Sequence, residues 1–313
     1  MVFATSVYGA PSPLTAGVPI QVADSKGGFD FLEVDPVHRR LLADHTGNGT
    51  LDIFDLDSGK LLKQVPTGAA QGVAIDLAND KYYVSVSKEK LMVIVDGKSM
   101  EKTGEVKLSG PGDALVFNSK NRMVYVGHDD GSELWVIDPA AQKVVGSISI
   151  SEAPEYAIYD EATDRLFQNI KSNDSLLVID PVTNAVKERW PTAPAKSPHG
   201  LAFDGKSHRL FCAGGNGILA AIDSTTGKLV GSVNIAPGVD QIAFDPETKR
   251  IYCASRTGVL SIVEEKSDGG IAALADVKTA VGAKTLAIDP KTHSVWVAYA
   301  DEEQSYILQL SAR

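Results

Sequence analysis

The chain has 313 residues, 43% of them hydrophobic and 22% charged, with 30 basic against 40 acidic residues for a net charge of −10. That composition suits a soluble protein with a large core, while the negative balance, with no segregated basic run, weighs against a nucleic-acid partner. No run of eighteen apolar residues is present to span a membrane, and two cysteines, Cys212 and Cys253, are too few for a disulfide framework.

The N-terminal MVFATSVYGAPSPLTAG lacks a basic leader and a long apolar core, so it does not read as an intact secretory signal; a signal trimmed away ahead of this numbering is compatible with it. Beyond it the chain reads as consecutive hairpins. The clearest unit is Pro198 to Gly238, with strand-length apolar runs at 201–203, 210–213, 219–222 and 229–235, each bounded by Gly, Asp, Asn or Ser. The residue closing the first run recurs as Asp35, Asp76, Asn118, Asp160, Asp204, Asp245 and Asp289, at spacings of 41, 42, 42, 44, 41 and 44. A second series closes the third run, at Asp55, Val95, Asp138, Asp180, Asp223 and Glu264.

A period of roughly 40 to 45 residues carrying four short strands is the pattern of propeller blades, and the 3.6-residue period of helical repeats is missing. The expected fold is therefore all-β: a seven-bladed β-propeller with four antiparallel strands per blade. The last repeat stops after its third strand, 306–310, and Val18 to Val22 has the length to supply the fourth, so that an N-terminal strand closes the last blade. The expected organisation is an N-terminal extension over 1–17 and one propeller over 18–313, with blades at 29–69, 70–110, 111–153, 154–197, 198–238, 239–282, and 283–310 plus 18–24. Asp residues of the first series read as turn formers. Tyr82, Tyr83, Tyr125, Phe167, Phe211, Tyr252 and Trp296, which recur in the second strand, read as packing between blades. Cys212 and Cys253, at one repeat position, read as small buried hydrophobes, with a metal-ligand or disulfide pair as the alternative.

Segments such as LFCAGGNGILAAIDSTTGKLVGSVNIAPG and IAFDPETKRIYCAS resemble the YVTN-type, YncE-like β-propeller family over residues 18 to 310. The resemblance implies a secreted or periplasmic binding scaffold and names no active-site residues. Blade 2, with VIVDGKSM, and blade 6, with VEEKSDGG, depart from the family's turn after the third strand.

The position five residues before the first series holds Asp30, Gln71, Asp113, Glu155, His199, Asp240 and Lys284, all polar, where each inner strand begins at the mouth of the central channel. Tyr156 is the aromatic expected nearest that mouth, and Arg256, with His45 and His128, comes from loops on the same face. His38, His208 and His293 fall on the opposite face and read as solvated turn residues. The mouth residues are the expected ligand-binding set. His45, His128, His199, Asp113 and Asp240 are a candidate divalent-metal set, since imidazole with carboxylate is a usual ligand group. A wet channel mouth with no further role would show the same polarity. No H-x-H or H-E-x-x-H spacing sharpens the metal reading, and no Gly-x-Ser-x-Gly elbow is present.

The leading functional expectation is a propeller that holds a small ligand, a metal ion or a protein segment at this face. The alternative is a metal-assisted hydrolase or lyase, lactonase-like, with His128, His199 and Glu155 as its catalytic groups. The only cofactor considered is a divalent metal ion. The partner is a small molecule or protein segment; nucleic acid is disfavoured, no membrane span is present and a monomer is expected.

Overall fold

Each repeat reverses around a buried carboxyl or amide. In the computed structural model, which describes residues 12–150 and 153–313, the side chains of Asp35, Asp76, Asn118, Asp160, Asp204, Asp245 and Asp289 are all buried. Each accepts backbone N–H groups two or three residues on, as Asp35 Oδ1 does from Val37 (2.9 Å) and His38 (3.0 Å). Four residues after each, Arg39, Asp80, Arg122, Asp164, His208, Lys249 and His293 adopt positive φ, from 50° to 66°. That left-handed residue completes a tight bulged turn between twisted strands, which is why the same polar residue recurs.

The hairpins assemble into seven antiparallel sheets. Blade 1, for example, runs Phe31–Asp35, Arg40–His45, Thr50–Asp55 and Leu61–Pro66. The sheets pack face to face around a ring, with one apolar cluster at each blade junction, so the chain is a seven-bladed β-propeller. The recurrent second-strand aromatics are all buried in it. Cys212 and Cys253 are buried and unbridged, in the clusters on either side of blade 5, as the small-hydrophobe reading requires.

The last blade takes Thr285–Ile288, Val295–Ala300 and Ser305–Ala312 from the C-terminal end, and its outer edge is covered from the N-terminal side. The closing strand begins earlier than Val18. It comes in two pieces, Leu14–Ala16 and Ile20–Val22, pairing Leu14 with Ala312 and Ile20 with Ile307. Pro19 has no N–H to give the ladder and Val18 is exposed, so pairing lapses there and resumes on either side. The expected extension before residue 18 therefore belongs in part to the blade, and the portion before residue 12 lies outside the described residues.

Two further expectations are corrected. In blade 2 the residue equivalent to Asp55 is Asp96, not Val95: Lys81 pairs with Asp96 as Arg40 pairs with Asp55. Asp96 Oδ1 accepts the N–H groups of Lys98 and Ser99, so VIVDGKSM keeps the repeat's turn with Ser in place of Thr. On the first-turn face, His38 and His293 are engaged rather than merely solvated. His38 Nδ1 is 2.8 Å from Asp35, and His293 Nδ1 is 2.9 Å from Asp245 of the preceding blade. Arg39 to Asp289, Arg122 to Asp76 and Lys249 to Asp204 make the same link from one blade to the one before. Among the described residues no helix is long and apolar enough to cross a membrane.

Candidate functional site

The channel mouth is built by an irregularity of the inner strands. In blades 2 to 6 the pairing of the first and second strands slips by one residue where the inner strand begins, as between Pro154 and Ala157 opposite Ile170 and Gln168. A bulge re-aims side chains at the rim of a sheet. Here the slip falls on Gln71, Asp113, Glu155, His199 and Asp240. Second-strand side chains hold the bulged backbone: within blade 4 Gln168 Nε2 donates to the Glu155 carbonyl (2.7 Å), and Asn169 Nδ2 reaches into blade 5 to donate to the His199 and Gly200 carbonyls (both 3.1 Å). The sequence signal was present, since Gln168 is polar in an otherwise apolar column.

The charges around the mouth are unequally matched. Lys284 Nζ donates to Asp30 Oδ1 and Asp240 Oδ2, both at 2.5 Å. Burial alone would lower this ammonium's pKa, but the two carboxylates outweigh it and raise it. Arg256 reaches to 3.7 Å from Asp240. Glu155 accepts from Lys171 (2.7 Å), a residue that sequence reasoning missed because it follows the second strand outside any repeat column. Gln71, with its amide turned to donate, lies 3.2 Å from Asp30 Oδ2. His199 Nδ1 donates to the Ser197 carbonyl (2.8 Å), which leaves Nε2 as the atom available to a ligand.

Among the described residues Asp113 makes no ion pair, and Lys171, which bonds Glu155, reaches it only as a more distant charge. Burial raises its pKa well above the usual carboxylate range, and the charges of Glu155, Asp30, Asp129 and Asp240 add to the rise. Asp30 is raised mainly by burial, with Lys284 opposing. Glu155 is likewise raised by burial, opposed by His199 and Lys171 and reinforced by Asp240. The carboxyls of four blades are thus close enough to feel one another, and the centre of the mouth favours an incoming positive charge or proton.

Beneath the ring, Tyr156 of blade 4 stacks on Phe31 of blade 1, centroids 5.2 Å apart and planes 20° apart. These strands are three blades apart in the ring, so the stack bars the channel. Four of the five matching positions elsewhere are small, Gly72, Ala114, Gly200 and Thr285, and the fifth is Gln241, which leaves room for two large rings. On the far side lies a second space of about 370 Å³, walled by apolar residues and by Glu33.

Two expected ligands stand elsewhere. His45 is fully buried, with Nδ1 2.8 Å from Asp52, and Nε2 3.0 Å from the Gly27 carbonyl and 2.9 Å from Ser305 Oγ. The Asp–His–Ser arrangement has the distances of a catalytic relay, but all three side chains are sealed from solvent, and Phe29 stacks on the imidazole. It pins blade 1 to blade 7. His128 stacks on Trp135, with Glu133 3.7 Å away. Among the described residues no three His, Cys, Asp or Glu side chains converge to hold a metal ion, so the structure does not bring His45, His128, His199, Asp113 and Asp240 together as a metal centre. Nor does His128 join His199 and Glu155 in one ion pair or hydrogen-bonded group.

Comparison with known proteins places the architecture in wide company. The fold overlays the WD40 repeats of RRP9 with a TM-score of 0.82 at 10% identity, covering 96% of this chain and 100% of that one. It overlays a chain of Kuenenia stuttgartiensis hydrazine synthase with a TM-score of 0.79 at 15% identity, covering 96% and 98%. At such identities the likeness is one of fold alone. In sequence, 134 residues are 20% identical to protein NirF of Stutzerimonas stutzeri, a stretch that is 42% of this chain and 34% of NirF. The chain thus matches about a third of that relative's length. Residues 67–260, from the second blade into the sixth, match the family described as "Domain of unknown function (DUF5074)", and the chain belongs to that family.

Proposed function

We propose that this chain is a binding propeller whose channel mouth takes a small polar ligand through a positively charged group. The observation that carries this reading is Asp113, a carboxyl of the mouth with no ion pair among the described residues and with the charges of four other carboxyls acting on it. Three of these four are already matched: Asp30 and Asp240 by Lys284, Glu155 by Lys171. An incoming ammonium would meet Asp113, with the Tyr156 hydroxyl, which has no hydrogen-bond partner among the described residues, as a further acceptor. A basic side chain on a protein segment offers the same chemistry. Resemblance of the repeats to YVTN-type, YncE-like propellers supports a secreted or periplasmic setting. Metal-assisted hydrolysis at this face has no comparable support, because the expected ligands do not converge.

Calorimetric titration with spermidine in 150 mM salt, where long-range attraction to a net-negative protein is screened, tests the proposal. Saturable binding is expected in the parent chain. It should weaken at least tenfold in Asp113→Asn and persist in Glu247→Gln, which removes an exposed carboxyl from a first turn on the opposite face. A lysine-containing tripeptide tests the protein-segment form in the same cell. Equal binding by the parent and Asp113→Asn would show that the mouth is not the site.

A further inference from the structure

The cavity beyond the Phe31–Tyr156 bar is separate from the mouth and differs from it chemically. Its walls come from the inner strands of blades 1 to 4, with Ala74, Leu115, Val116, Phe117 and Ile158 supplying apolar surface. Pro36 and Leu77, which begin the first turns, also line it, so it opens toward the face opposite the mouth. At about 370 Å³ it falls within the range that holds small ligands.

One charge interrupts this apolar lining. Glu33 stands at a repeat position that the other blades fill with Ala74, Val116, Ile158, Ala202, Ala243 and Ala287. Its recorded hydrogen bond is with its own neighbour, the Val34 N–H donating to Oε1 at 2.9 Å, and it has no ion pair among the described residues. Burial pushes this carboxyl up to about 7, against the Val34 N–H. Tyr159, the other titratable residue lining the cavity, donates to Asp164 (3.0 Å). The remaining acids of the surrounding inner strands, Asp76, Asp113, Glu155 and Asp160, sit at turns or at the mouth, and Tyr156 lies in the bar. A carboxylate in an apolar wall is costly unless a cation meets it, and none of the described residues supplies one.

We propose that this cavity is a second binding site, for a small hydrophobic amine whose apolar body fills the space between blades 1 and 4 and whose ammonium pairs with Glu33. The site goes beyond the mouth: its ligand is apolar with one charge, and it is reached from the other face of the ring.

Calorimetry on the full chain with 2-phenylethylamine, and with 2-phenylethanol as its uncharged counterpart, tests this. The amine should bind at pH 8.5 and the alcohol at least tenfold more weakly. At pH 5.5 the amine must displace a proton from a carboxyl that titrates near 7, so its affinity should fall roughly thirtyfold. Glu33→Gln should weaken the amine at least tenfold and remove the pH dependence. Val116→Phe, which crowds the cavity wall, should weaken binding at least tenfold, and Asp113→Asn should leave it unchanged. Thermal midpoints establish that each variant folds; if Glu33→Gln does not, the pH comparison on the parent chain and Val116→Phe decide. The proposal is overturned if amine and alcohol bind alike, if Glu33→Gln or Val116→Phe binds as the parent does, if Asp113→Asn loses the amine, or if the amine fails to bind at millimolar concentration.

Discussion

Asp113 and Asp44 show how differently a buried carboxyl acts according to what surrounds it. Asp113 faces a water-accessible mouth, where a ligand can supply the missing charge. Asp44, next to His45 in the second strand of blade 1, is fully buried, and neither carboxyl oxygen has a hydrogen-bond partner. Burial raises its pKa well above the usual range, with Asp30 and Asp52 adding to the effect. The folded chain therefore holds a proton that the unfolded chain releases near pH 4, so this contribution to stability is present below about pH 4 and is lost as pH rises toward the folded pKa. Asp44→Asn should flatten the fall in thermal midpoint between pH 4 and pH 8 and raise the midpoint at pH 8; an unchanged slope would contradict this. The sequence disclosed the mouth residues by repeat register alone, but not Asp44 or Glu33. Both lie in strand interiors where a single chain offers no contrast except the blade-to-blade column, and there Glu33 is the one acid among six apolar residues. Lys171 was illegible for another reason: it follows its strand in a loop that matches no other repeat.

Two elements carry the geometry: the bulge that opens each inner strand and the pin that closes the ring. The bulge lets neighbouring residues serve the channel, so Glu155 joins the ring while Tyr156 crosses to Phe31. Periodicity located the column but not the slip in register, because a bulge adds one residue without changing residue type. The pin is the buried set Asp52, His45, Ser305 and the Gly27 carbonyl, joining the first blade to the last strand and to the N-terminal segment. His45→Ala leaves Asp52 without its imidazole in a sealed site, a loss of about 3–5 kcal/mol. Thermal unfolding should register it as a clear drop in midpoint while spermidine binding in the folded protein is unchanged. Loss of binding with no loss of stability would instead return His45 to the ligand set.

Across the whole molecule the two ends of the channel carry opposite electrostatics. At the first-turn face, burial raises the carboxyls, but hydrogen bonds outweigh it: Tyr82 and His38 lower Asp35, Lys249 brings Asp204 to about 2, and Arg39 brings Asp289 to about 2. These groups stabilise the fold above the unfolded carboxylate range and lose that contribution as pH falls toward 2. At the mouth, Asp30, Asp113 and Glu155 are raised and act in the opposite sense. The turn carboxylates Asp35, Asp204 and Asp289 are thus satisfied by their own hydrogen-bond partners, while the mouth has carboxyls to spare. Seven blades, the closing strand and the polar column were all legible in the sequence because they repeat or break a repeat; which carboxyls find partners depends on contacts between blades. Proton exchange on binding tests the mouth most directly, using spermidine titrations over a range of pH in buffers of different ionisation enthalpy. Net proton release is expected from the parent chain as the cation displaces the proton of Asp113, with markedly less from Asp113→Asn. Binding with the same affinity and proton release in both proteins would contradict the assignment.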